Sequence, residues 1–177
     1  MPAVAPMPRA SVPAPPAAAP SPLAPAPSSP AATAPAAPPE EPVPIERYAA
    51  VASELAEKGA VRSKVLSAHD LDEPTWRKAE RRFRDALERE LKRGERALRE
   101  RFDDAYVDAW ERRHPDRFGV AAYARLLGAE RRGTLTLEIA DQGLDASLGM
   151  RLKRVWQRRV ASSAALAEQI ERALAAL

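Results

Sequence analysis

The chain has 177 residues, 45% hydrophobic, 30% charged and only 5% aromatic, and its 28 Lys and Arg against 25 Asp and Glu leave a net charge of +3. Despite a pI near 9.5, so close a balance describes a mixed surface and argues for solubility more than for nucleic acid. The absence of cysteine excludes a disulfide framework, thiolate metal sites and thiol catalysis.

Only Pro74 and Pro115, of 18 prolines, lie beyond residue 44. Proline removes a backbone donor and clashes with the preceding turn, so residues 1–44 cannot form helix and are expected to be a disordered Pro/Ala-rich spacer. Pro22 and Pro25 meet the PxxP spacing of a docking ligand, which a tract so dense in proline also produces by chance. No basic stretch followed by an apolar core opens the chain, and no run of about eighteen apolar residues occurs. A soluble, cytoplasmic protein without membrane contact is expected.

From Ile45 the pattern turns helical. Ile45, Tyr48, Val51, Ala52 and Leu55 share a stripe, and Gly59 offers a stop. A short segment over 63–68 leads to a turn in which Asp72 is the expected N-cap, with Glu73 and Pro74 suited to a first helical turn. The long helix that follows buries Trp76, Ala79, Phe83, Ala86 and Leu87. Its other faces pair Glu80 with Arg84, Asp85 with Arg89 and Glu88 with Lys92 at one-turn spacing. Gly94 predicts a kink or a tight connection.

Leu98, Phe102, Ala105, Tyr106 and Ala109 mark the next helix, ending near Arg113 before His114-Pro115. Asp116 is the expected cap of a helix holding Phe118, Ala122, Tyr123, Leu126 and Leu127. Leu135 to Ile139 alternates like a strand, but a lone strand would leave its backbone groups without partners, and a helix is predicted. Leu148, Leu152, Val155, Trp156 and Val160 line another long helix, and Ser163 caps a last one with Leu166, Ile170, Leu174 and Leu177 inward.

Shifting the chain by about 73 positions lays Leu71-Asp72 on Leu144-Asp145, Arg81 on Arg154, Phe83 on Trp156 and Leu87 on Val160. The expected architecture is therefore an all-α bundle over 45–177 built from two pseudo-repeats, about 45–113 and about 116–177. Each copy leaves an apolar face to cover, so the two are expected to close over a shared interior lined by Phe83 and Trp156. The expected core is Trp76, Phe83, Leu87, Phe102, Tyr106, Leu152, Trp156 and Val160.

Catalytic patterns are scarce. His69 and His114 stand at no metal-ligand spacing, and Asp103, Asp104 and Asp108, the one acidic cluster, suit a solvated helix face better than paired acid–base work. No Walker A loop, GxGxxG, GxSxG or HExxH occurs. No cofactor or metal is expected, and no catalytic residue is assigned. Arg151, Arg154, Arg158 and Arg159, with Lys153 beside them, form a basic helix face that could engage an acidic protein surface or phosphates. The short helix and turn before them have a helix-turn-helix look, so a nucleic-acid-binding role is the alternative.

The phrases RYAAVASEL, KVLSAHDLDEPTW and MRLKRVWQRRVASSAALAEQIERAL resemble uncharacterised helical modules of large-genome, high-GC bacteria such as myxobacteria. Those modules follow Pro/Ala-rich linkers and sometimes sit on or beside type VI secretion components. The resemblance spans roughly 45–177, rests on packing and capping residues, and transfers no active site. It implies a non-enzymatic interaction or adaptor module with a protein partner, accessory to a secretion system.

Overall fold

The computed structural model describes residues 43–177, which form eight α-helices and no strand. The spacer expected over 1–44 lies outside the described residues, apart from its last two. The helices are α1 Ile45–Leu55, α2 Arg62–Ala68, α3 Glu73–Lys92, α4 Ala97–Arg113, α5 Val120–Arg131, α6 Leu135–Asp141, α7 Ala146–Ala161 and α8 Ala164–Ala175. No helix among these residues is long and apolar enough to cross a membrane.

Local chemistry sets most of the boundaries. Asp72 accepts the Thr75 N–H at 2.8 Å and Asp145 accepts the Leu148 N–H at 2.9 Å, each satisfying a donor that a helix start leaves free. Ser163 does the same for Leu166 at 3.3 Å. Gly94 ends α3 instead of kinking it, with the Glu95 N–H reaching back to the Glu90 carbonyl at 3.0 Å. The buried Glu90 carboxylate then accepts the N–H groups of Leu98 and Arg99, so α3 supplies the cap that Arg96 cannot.

Asp116 caps nothing: α5 begins at Val120 with Gly119 in the cap position. Pro115 draws His114 to Arg117 into a turn, closed by the Arg117 N–H on the His114 carbonyl at 3.2 Å, and Asp116 is inside it. Phe118 is buried all the same, ahead of the helix that was expected to carry it. Of the three ion pairs expected along α3, Glu88–Lys92 forms at 2.7 Å, whereas Glu80 turns to Arg62 at 3.1 Å and Arg89 bonds the Asp85 carbonyl.

In packing, α1 lies along α4, α5 along α8, and α4 meets α7. Helix α2 joins α1 to α3, and α6 joins α5 to α7. The α6–α7 approach is close enough that a Cβ on Gly149 would stand 2.6 Å from the Ile139 side chain. Trp76 lies in a cluster with Val51, Val65 and Leu66, and Phe83, Phe102, Tyr106, Leu152 and Trp156 belong to the main core. Val160 is half-buried against that core.

Phe83 and Trp156 both line that one core, as expected, but from separate aromatic groups. Helices α3 and α7 do not pack together; Phe83 stacks on Tyr48 at 4.7 Å, and Trp156 lies against Phe118 and Tyr123 at 5.5 and 5.7 Å. Two expectations about burial need correction. Leu87 is only half-buried and outside both clusters, because the end of α3 meets α4 through Glu90 and not through apolar side chains. Leu177 lies past the end of α8 and is 65% exposed.

Candidate functional site

The seam between α4 and α7 gathers most of the residues singled out from the sequence. Helix α4 turns Asp103, Asp104, Asp108 and Glu111 towards α7, and α7 turns Arg151, Arg154, Arg158 and Arg159 back. Asp103 is 1% exposed and uses both carboxylate oxygens: Arg151 Nη1 donates to one and Arg154 Nε to the other, each at 2.8 Å. Arg158 donates to Asp104. Arg159 bonds Asp108 at 2.8 Å and both oxygens of Glu111 at 2.9 Å, a fork-to-fork geometry. Trp156 Nε1 donates to Glu111 at 3.0 Å, which ties the ring to the same network.

Arg151 lies over the Phe102 and Tyr106 rings, 4.8 Å from each centroid, where the ring faces attract a cation. Burial works to lower the Arg159 pKa, but Glu111 and Asp108 outweigh it and hold the group above its ordinary value. Burial raises the Tyr106 hydroxyl. Arg151 Nε is the one buried side-chain nitrogen of the seam without a partner.

The four arginines read as a phosphate-binding candidate are therefore engaged by carboxylates of the same chain. Asp103 compensates the charge of Arg151 and Arg154 through one nitrogen of each, and the two side chains keep 23% and 31% of their exposure. Of the acidic cluster expected to be solvated, Asp103 is buried, Asp104 and Asp108 stay about half exposed, and all three pair with arginines. Lys153 lies off this seam and pairs with Glu130 of α5.

Both histidines pair with glutamates at the end of α1. His69 Nε2 is 2.9 Å from Glu54, and His114 Nε2 is 3.2 Å from Glu57. Glu57 also accepts from Arg113 Nε at 2.7 Å, while Arg113 Nη2 reaches the buried Ser53 hydroxyl at 2.8 Å. Burial would raise the Glu57 pKa, but the Arg113 and His114 contacts prevail and hold it below the usual value. Among the described residues no group of three or more metal-ligating side chains converges.

The clefts among the described residues include two near these helices. One, of about 580 Å³, lies between the start of α1 and the α2–α3 turn, with Arg47, Ser67, Asp70 and Thr75 on its walls. The other, of about 530 Å³, adjoins the seam at Glu111, Pro115, Phe118, Trp156 and Arg159. Both mix charged and apolar walls.

Glu111 and Glu90 were not read from the sequence as functional positions. Glu111 continues the helical spacing of Asp104 and Asp108, a signal that it shares their flank. Glu90 falls on the stripe of Trp76, Ala79 and Phe83, a signal that it is turned inward. Comparison of the chain with protein-family models, with curated proteins and with solved structures finds no match.

Proposed function

We propose that residues 45–177 are a duplicated helical unit acting as a non-enzymatic protein-interaction or adaptor module. The observation that carries this reading is how charge is deployed. The chain joins its own helical groups by laying a carboxylate-bearing helix on an arginine-bearing one, and α3 offers a mixed, net-basic face, with Asp85 and Glu88 among its cations, that has no such cover. Among the described residues no carboxylate lies within ion-pair distance of Lys78, Arg81, Arg84 or Arg89, and Leu91 on the same helix is 68% exposed. Helical surface of this kind exceeds what folding uses and suits recognition of another protein.

The duplication is supported by equivalent features in α1–α4 and α5–α8. Tyr48, Ala49 and Val51 correspond to Tyr123, Ala124 and Leu126. Helices α2 and α6 have 7 residues each and end alike: the Leu71 N–H bonds the Leu66 carbonyl at 2.9 Å, as Leu144 bonds Ile139 at 3.1 Å. The residue before each leucine is left-handed, Asp70 at φ 48° and Gly143 at φ 67°. Leu98, Phe102, Ala105 and Tyr106 of α4 correspond to Leu166, Ile170, Ala173 and Leu174 of α8, and all but Ala173 lie in or against the core.

The acid–base candidates support a non-enzymatic role, since Asp103, Asp104 and Asp108 are each held by arginine. The resemblance of the helical phrases to secretion-associated modules makes a component of such an apparatus the expected partner. Affinity capture from native lysate with the tagged full chain tests the reading. A stoichiometric protein partner that withstands nuclease treatment is expected, and recovery of nucleic acid alone, or of nothing, would refute it.

A further inference from the structure

We infer that the module associates with a second copy of itself head to tail, the outer face of α8 in one copy covering the outer face of α3 in the next. The inference rests on the duplication proposed above. Under that correspondence α7 matches α3, with Arg151, Arg154 and Arg158 falling on Lys78, Arg81 and Asp85. Likewise α4 matches α8, with Asp103 and Asp104 falling on Glu171 and Arg172.

Within the chain Asp103 takes Arg151 and Arg154, and Asp104 takes Arg158. Carried over, Glu171 of one copy meets Lys78 and Arg81 of another, and Arg172 meets Asp85. The second contact reverses the sign of both partners and stays complementary. All five residues are exposed, and none forms an ion pair among the described residues. The α8 face that would be covered continues through Ala175 and Ala176, both exposed and small enough for close helix approach.

Such a contact joins two different surfaces of one protein, so it does not close on itself as a two-fold dimer does. In arrays of helical repeats each unit contacts only its neighbours, and here α3 and α8 are the ends left without one. At the positions of Leu152 and Val155 α3 has Ala79, already buried in its own core, and Arg82, so the apolar content of this second seam is low. Association is therefore weak and falls as salt screens the pairs.

Sedimentation velocity on the full 19.3 kDa chain, from low to several hundred micromolar and at low and high salt, tests this. Average mass is expected to rise above the monomer with concentration at low salt and to fall back at high salt. Glu171→Lys alone, or Lys78→Glu with Arg81→Glu, should each weaken association at least about tenfold. Mixing the two variants should restore it, because the mixture holds one unaltered α3 face and one unaltered α8 face. Circular dichroism shows whether each variant is folded, and Arg172→Asp serves as a second probe of the α8 face.

A wild-type chain that stays monomeric throughout overturns the proposal, as do folded variants that associate like wild type or a mixture that does not recover. The duplication fails separately, if α1–α4 and α5–α8 do not superpose.

Discussion

Replacing Asp103 by Ala removes the acceptor on which the α4–α7 seam converges. Both of its oxygens are bonded at 2.8 Å and the residue is 1% exposed, so the loss leaves Arg151 and Arg154 facing an apolar gap. Removing one partner of a buried ion pair costs about 3–5 kcal/mol, because the remaining charge is uncompensated. The two arginine side chains keep 23% and 31% of their exposure, so water offsets part of this and about 3 kcal/mol is expected. For a domain of this size that corresponds to a fall in Tm of about 10 °C. Urea unfolding followed by circular dichroism measures it. Asp103→Leu combined with Arg151→Met and Arg154→Met should recover much of the loss, since apolar residues of similar volume often replace a buried ion triad without penalty. A stability change below about 0.5 kcal/mol for Asp103→Ala would be that of an ordinary surface substitution and would refute the reasoning.

Three further outcomes follow from the packing and the paired glutamate. Gly149→Ala drives a methyl into Ile139 and should cost about 1–3 kcal/mol in thermal or urea unfolding, with part of the loss regained when Ile139→Val is added. Phe83→Ala and Trp156→Ala should each cost about 3–5 kcal/mol, and because the rings lie in different aromatic groups the two losses should add in the double variant. Glu57, with its folded pKa depressed, contributes stability that is fully present above the ordinary value of 4.5 and disappears as pH falls through the folded value. Glu57→Gln should therefore flatten the acid limb of a stability–pH curve below about pH 4.5, and an unchanged limb would show that the Arg113 and His114 contacts carry no linkage.

Much of the helical content was legible in the sequence because its signals are local. A side chain such as Asp72, Asp145 or Ser163 and the N–H it caps are three residues apart, so the residue type marks the boundary. The strand-like alternation of Leu135 to Ile139 gave way to helix α6, which meets its backbone needs without a second strand. Asp116 was misplaced because the turn favoured by Pro115 competes for the same residues.

The candidate site was half legible. Periodicity shows that Arg151, Arg154, Arg158 and Arg159 share a flank of one helix and that Asp103, Asp104 and Asp108 share a flank of another. It does not say what stands opposite, because those pairs join residues about fifty positions apart and leave no short-range trace. The same gap leaves the neighbours of Phe83 and Trp156 unread, though both line one core as expected. Both were turned inward as their spacing required, but the seam between the two groups of helices runs through α4 and α7 and not through α3 and α7.

A double-mutant cycle on Asp103 and Arg154, with stability measured by urea unfolding for the wild type, Asp103→Ala, Arg154→Ala and the double variant, tests most directly whether charge joins the two groups of helices. The expected coupling is about 1–3 kcal/mol, as for residues in direct contact. Additive single losses, within about 0.3 kcal/mol, would mean that the pair contributes nothing to the joint and would contradict the account.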